Sequence, residues 1–118
     1  MQGRNDKNIP WKVTPEKIRT AIDKIIEISV PRKLIIFGSY VTKELHRNSD
    51  LDVMVVMDDG IVNARSESVR IRRYLKGLRM PMDILVVTES RLKECADAPG
   101  LIYREAIRHG KVVYERQG

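Results

Sequence analysis

Two aspartates one residue apart, Asp50 and Asp52, introduce the apolar run "LDVMVVM", and a third, Asp83, opens the run "DILVV". Side chains at i and i+2 on a strand share a face. Asp50 and Asp52 therefore project together, and Leu51 between them turns the other way into the core. Two carboxylates about 6–7 Å apart at the strand repeat repel each other unless a cation lies between them. Hard oxygen donors of this kind suit Mg²⁺, which takes one or two carboxylates together with substrate phosphates and keeps several waters. If the strand of Asp83 lies beside that of Asp50 and Asp52, all three acids converge at one edge of a sheet. That layout suits two-metal phosphoryl chemistry: one ion holds a triphosphate and the other orients an attacking hydroxyl. Asp83, touching only the second ion, is then the base-side ligand. The plainer alternative is that strand ends are acidic because the chain emerges there into water.

Gly38 and Ser39 end the earlier run "KLIIF". A glycine directly after a strand lets the backbone turn and approach a ligand closely. Successive N–H groups at the start of a helical turn form an anion-binding concavity, to which the Ser39 hydroxyl adds a donor. An ordinary turn reads the same way; what distinguishes this one is its distance from Asp50.

These residues need strands to carry them and helices to cover the sheet. In "VTPEKIRTAIDKIIEISV", Thr14 is an N-cap with Pro15 at the first helical position, and Ile18, Ile22, Ile25 and Ser29 recur at helical steps. That helix ends before Pro31. "KLIIF" is a strand, Tyr40 to Arg47 a helical turn or loop, and "LDVMVVM" a second strand closed by "DDG". Ile61, Ala64, Ser68, Ile71, Leu75 and Leu78 keep helical spacing, with Arg65, Arg70, Arg72, Arg73 and Lys76 opposite. Pro81 introduces a third strand, "MDILVV". Thr88 caps the helical turn "TESRLKECA", a last helix runs from Pro99 to Gly110, and "KVVYE" is a fourth short strand or an extended tail. The expected fold is a small α+β domain, close to α/β, with a mixed sheet of three to four strands and helices packed on it. Residues 1–12 read as a flexible segment and 13–118 as a single domain.

At 118 residues the chain can close one hydrophobic core, and 42% hydrophobic with 32% charged residues is a globular balance. No apolar window approaches a membrane span, and the first fifteen residues carry charges but no apolar h-region, so no signal peptide is expected. The single cysteine, Cys95, can form no intrachain disulfide, which places the expected home in a reducing cytoplasm. Twenty-two Lys and Arg against sixteen Asp and Glu leave a formal charge of +6. That charge favours polyanionic company: nucleotides, nucleic acid or an acidic protein. The arginines between Arg65 and Arg73 serve either such a partner or water alone. Few aromatics interleave with them, so base stacking is not favoured.

Gly38-Ser39, ten residues, then Asp50-x-Asp52 resembles the G-S-x10-D-x-D signature of the nucleotidyltransferase superfamily that includes DNA polymerase beta. The third Asp and the ending "YREAIRHGKVVYE" are similar to the minimal nucleotidyltransferases, and the resemblance runs from about Lys33 to Glu115. It implies the nucleotidyltransferase fold, with Gly38 and Ser39 holding the triphosphate of ATP. It also implies that Asp50 and Asp52 bind two Mg²⁺ ions and that Asp83 completes the second site. Where relatives often have Arg-Gly, this chain has Thr42 and Lys43; Lys43 either supplies the positive charge to a phosphate or is simply solvated. His46 and Arg47 share that loop, and His109 reads as a helix-end cation.

The expected activity is transfer of AMP from ATP to a hydroxyl of a partner protein. For minimal members that partner is often a HEPN-type toxin, which would make this chain the antitoxin; self-association is a further option. The rival is a non-catalytic antitoxin or nucleotide-binding module acting by contact alone. A small-molecule transferase of the aminoglycoside-modifying kind fits less well, because those chains normally need an extra helical domain.

Overall fold

The computed structural model describes residues 13–37, 51–60, 63–95 and 110–117. Helix α1 (Pro15–Ser29) starts where Thr14, in extended conformation, accepts a hydrogen bond on Oγ1 from the Lys17 N–H at 3.2 Å. Ile18, Ala21, Ile25 and Ser29 form its buried stripe, with Ile22 and Ile26 half-buried beside them. The helix stops at Val30, which adopts φ 46, ψ 59 and donates its N–H to the Ile26 carbonyl at 3.1 Å. A left-handed β-branched residue is strained by about 1–2 kcal/mol, and glycine is the usual occupant. Val30 is 58% exposed, so its side chain contributes little burial. Val30→Gly is therefore expected to stabilise the fold by about 0.5–1 kcal/mol after the entropy glycine adds to the unfolded chain. Urea denaturation midpoints measure the difference.

Four strands follow: β1 (Lys33–Phe37), β2 (Leu51–Met57), β3 (Met82–Thr88) and β4 (Lys111–Glu115). They form one sheet in the order β3-β2-β1-β4. β1 is antiparallel to both β2 and β4, and β2 is parallel to β3, so the sheet is mixed. "KVVYE" is thus a strand rather than a tail. The parallel β2–β3 pair requires a crossover, supplied by helix α2 (Ala64–Tyr74) and a 3₁₀ turn (Lys76–Leu78). α2 begins later than the apolar stripe predicts, because the Asn63 side chain caps the Ser66 N–H at 3.0 Å. Leu78, on the same stripe, sits in the tighter 3₁₀ turn. Helix α3 (Glu89–Cys95) follows β3 directly, and Thr88 Oγ1 accepts from the Arg91 N–H at 3.2 Å as the sequence predicts. No described helix is long and apolar enough to cross a membrane.

Both faces of the sheet are covered, which is why β2 reads as an almost continuous apolar run. On one face Leu34, Ile36, Leu51, Val53, Val55, Ile84 and Val86 pack under α1 and α2, with Ile71 and Leu75 from the crossover. Tyr114 of β4 packs against this cluster. On the other face Ile35, Phe37, Met54, Val56 and Val87 pack with Leu92 of α3.

Polar contacts tie the element ends together. Ser29 donates to Glu67 Oε2 at 2.7 Å, and Arg70 donates to the same carboxylate and to the Ile28 carbonyl, locking α1 to α2. At the far end of β2, Asp58 pairs with Arg32 and Arg116, and Arg32 also reaches Glu89. Arg116, and after it Arg32, hold the Asp58 carboxyl below the ordinary aspartate range. The Ser90 hydroxyl and N–H do the same for Asp59. A carboxylate depressed in the fold takes up its proton first in the unfolded chain. Its contribution is complete above the ordinary pKa, about 4, and is lost as pH falls through the lower folded value. Thermal melts should accordingly be level from neutrality down to about pH 5 and drop at more acid pH. Asp58→Asn should flatten part of that acid slope.

Candidate functional site

β2 and β3 are adjacent, which was the condition on which the three-acid reading depended. Their parallel register pairs Asp52 with Asp83 directly. Residues paired across neighbouring strands put their side chains on the same face, about 4.8 Å apart at the backbone. Asp52 shares its face with Met54 and Val56, opposite the buried Leu51. Asp83 lies in line with Leu85 and Val87 on that face. The two carboxylates therefore occupy one rung, with Asp52 half-buried and Asp83 exposed.

The antiparallel partner of Asp52 on its other side is Phe37, the last residue of β1. β1 ends at Phe37, so its carboxyl end lies beside Asp52. Asp50 immediately precedes β2, whose first residue, Leu51, donates its N–H to the Pro81 carbonyl at 2.9 Å. The carboxyl end of β1 and the amino ends of β2 and β3 thus meet at one margin of the sheet. Gly38, Ser39, Lys43 and Asp50 themselves lie outside the described residues, as do Thr42, His46, Arg47 and His109.

Why the sequence folds this way locally follows from its pattern. Leu51 is fully buried, and a slip of one residue would exchange it with an aspartate, so the register of β2 is fixed by its hydrophobic face. Asp83 is exposed while Ile84 beside it is 5% exposed, which fixes β3 in the same manner. Beneath the acids lies the apolar cluster of Ile35, Phe37, Met54 and Leu92. Phe37 is a neighbour of the site that the motif does not reveal; only the antiparallel register places it against Asp52.

Among the described residues no third His, Cys, Asp or Glu completes a metal-binding group. The donors present nevertheless fit a hard divalent cation: two carboxylates on one face, on the same rung, at a margin reached by solvent through Asp83.

Comparison with known proteins bears on the family and the fold. Residues 16–118 match the family model "Polymerase beta, Nucleotidyltransferase". No curated protein matches the chain significantly. One solved structure with a similar fold is described as "Crystal structure of the toxin-antitoxin with AMP-PNP". It is 22% identical, with a TM-score of 0.53 over 83% of this chain and 73% of that one. A second is the toxin-antitoxin MntA-HpeT, a mutant with two aspartates, two positions apart, changed to glutamate. It is 19% identical, with a TM-score of 0.51 over 89% of this chain and 75% of that one. At these identities the likeness is one of fold.

Proposed function

Because the chain belongs to the polymerase beta nucleotidyltransferase family, we propose that it transfers AMP from ATP to a hydroxyl of a partner protein: the acceptor oxygen bonds to the α-phosphorus, pyrophosphate leaves, and the hydroxyl proton passes to solvent. That partner is the toxin, of HEPN type, in a toxin-antitoxin pair. The observation that carries the reading is the Asp52–Asp83 rung beside the exit of β1. Two further findings support it. A chain of similar fold was solved as a toxin-antitoxin with AMP-PNP, an ATP analogue. Another carries changes at two aspartates with the spacing of Asp50 and Asp52.

In this reading Asp50, Asp52 and Asp83 hold Mg²⁺, two ions in all. When bound, the metal offsets charge on the phosphoryl oxygens and acidifies the acceptor hydroxyl. Gly38 and Ser39 offer N–H and hydroxyl donors to the triphosphate, and Lys43 adds a positive charge. The exposed Asp83 would face the acceptor hydroxyl, with Asp52 between it and Phe37 at the end of β1. The chain's work is positioning and electrostatic complementarity, with no covalent intermediate required.

The test is incubation of the chain with Mg²⁺, ATP labelled at the α-phosphate, and the product of the neighbouring gene. Label is expected on a hydroxyl side chain of the partner, and it should disappear with Asp83→Asn. A partner that is bound and neutralised without acquiring label would overturn the transfer reading in favour of an antitoxin acting by contact alone.

A further inference from the structure

A second surface lies on the opposite face of β3, and the proposed chemistry makes no use of it. β3 is an edge strand, pairing only with β2 among the described residues. Since the Pro81 carbonyl bonds to β2, alternation turns the main-chain groups of Asp83, Leu85 and Val87 inward. Those of Met82, Ile84 and Val86 then face outward. Arg72 confirms the direction: its Nη2 reaches the Ile84 carbonyl at 3.4 Å, a long bond that an incoming N–H can replace.

Beside this edge is a pocket of about 190 Å³. Its floor includes Met80, Met82 and Ile84, and Arg72, Lys76 and Arg79 line it as well. These three cations are exposed, and among the described residues none forms an ion pair. Three cations without an ion pair thus stand together where an apolar pocket meets a strand edge that is unpaired among the described residues.

We propose that the outer edge of β3, with the Arg72–Lys76–Arg79 pocket beside it, docks an acidic, extended segment of a partner protein. Such a segment adds a strand to the sheet: its main chain bonds to Met82, Ile84 and Val86, one apolar side chain enters the pocket, and its carboxylates meet the three cations. A second copy of this chain would bring the same positive charge against itself. Nucleic acid would satisfy the cations but leave the apolar floor unfilled. Tyr74, the aromatic residue of α2, is engaged by Glu27 at 2.9 Å and by Lys24 above its ring. The inference goes beyond nucleotide transfer and does not depend on it, since docking involves neither metal nor nucleotide.

The probe is a short fluorescein-labelled peptide alternating glutamate with valine or leucine, titrated into the full chain and read by anisotropy and amide chemical shifts. Saturable binding is expected, with the largest shifts at Met82, Ile84 and Val86. Lys76→Glu, at an exposed position, and the double variant Arg72→Glu/Lys76→Glu should each weaken it by about tenfold or more. A peptide with lysine in place of glutamate should not bind. Asp52→Asn, which should abolish transfer, should leave peptide binding intact, so the two proposals fail separately. Absence of saturation, shifts centred elsewhere, or affinity unchanged by charge reversal in variants with normal melts would overturn the docking site. So would tighter binding of oligothymidylate at the same amides, or self-association of the chain through this edge.

Discussion

Asp52→Asn is expected to lower nucleotide transfer to the partner by about a thousandfold, equivalent to about 4 kcal/mol of transition-state stabilisation. The substitution keeps shape and removes only charge, at the half-buried member of the rung it shares with Asp83. The cause should be visible apart from activity. With Mg²⁺ and a non-hydrolysable ATP analogue at a hundred times their dissociation constants, the wild-type chain should gain about 2.7 kcal/mol of stability. The variant should gain little. Melts with and without ligand separate this effect from simple misfolding, because the unliganded variant should still unfold cooperatively.

Leu51→Ala tests the other side of the same strand. Leu51 is fully buried between α1, α2 and the sheet, and it stands next to Asp52 in the chain. Truncation removes buried apolar atoms and leaves a cavity, at an expected loss of about 2–5 kcal/mol. In a domain of this size that corresponds to a fall of roughly 10 °C or more in melting temperature. The urea midpoint should shift with an unchanged slope, since the native surface is preserved. Transfer measured well below the new melting temperature should persist, because Asp52 and Asp83 remain paired. Loss of activity in a folded Leu51→Ala chain would mean that packing under β2, and not the carboxylates alone, sets the geometry of the site.

The contrast between these two neighbours explains what could be read from the sequence. An aspartate inside an apolar strand announces itself, because nothing in a core accounts for it. Strand identity was equally plain, since β-branched runs bounded by Gly, Pro and Asp leave few alternatives. Strand order was not. The pairing of Asp52 with Asp83 depends on β3 lying beside β2, and two apolar runs of similar composition do not say which is the other's neighbour. Nor could the motif show that Phe37 stands against Asp52, because that contact exists only through the β1–β2 register.

Smaller departures have local causes. The apolar stripe that begins at Ile61 overstated the start of α2, where the Asn63 cap decides the first turn. Val30 in the left-handed region was invisible, since a residue before proline is biased towards extended backbone. The basic side of α2, uniform in sequence, is divided in the fold. Arg70 turns to Glu67 and α1, whereas Arg72 reaches β3 and Lys76 lines the pocket beside it. Charge runs conceal such partners because a long side chain can reach across neighbouring elements.

The central claim is that a divalent cation is held at the rung of Asp52 and Asp83. Titration of the isotopically labelled chain with Mn²⁺ addresses it most directly, because a paramagnetic ion broadens the amide signals nearest to it. The signals of Phe37, Asp52 and Asp83 should broaden first, at ion concentrations that leave those of Asp58, Asp59 and Glu89 sharp. Broadening that begins at the Asp58–Glu89 end of the sheet, or that spreads evenly over the acidic residues, would contradict the account.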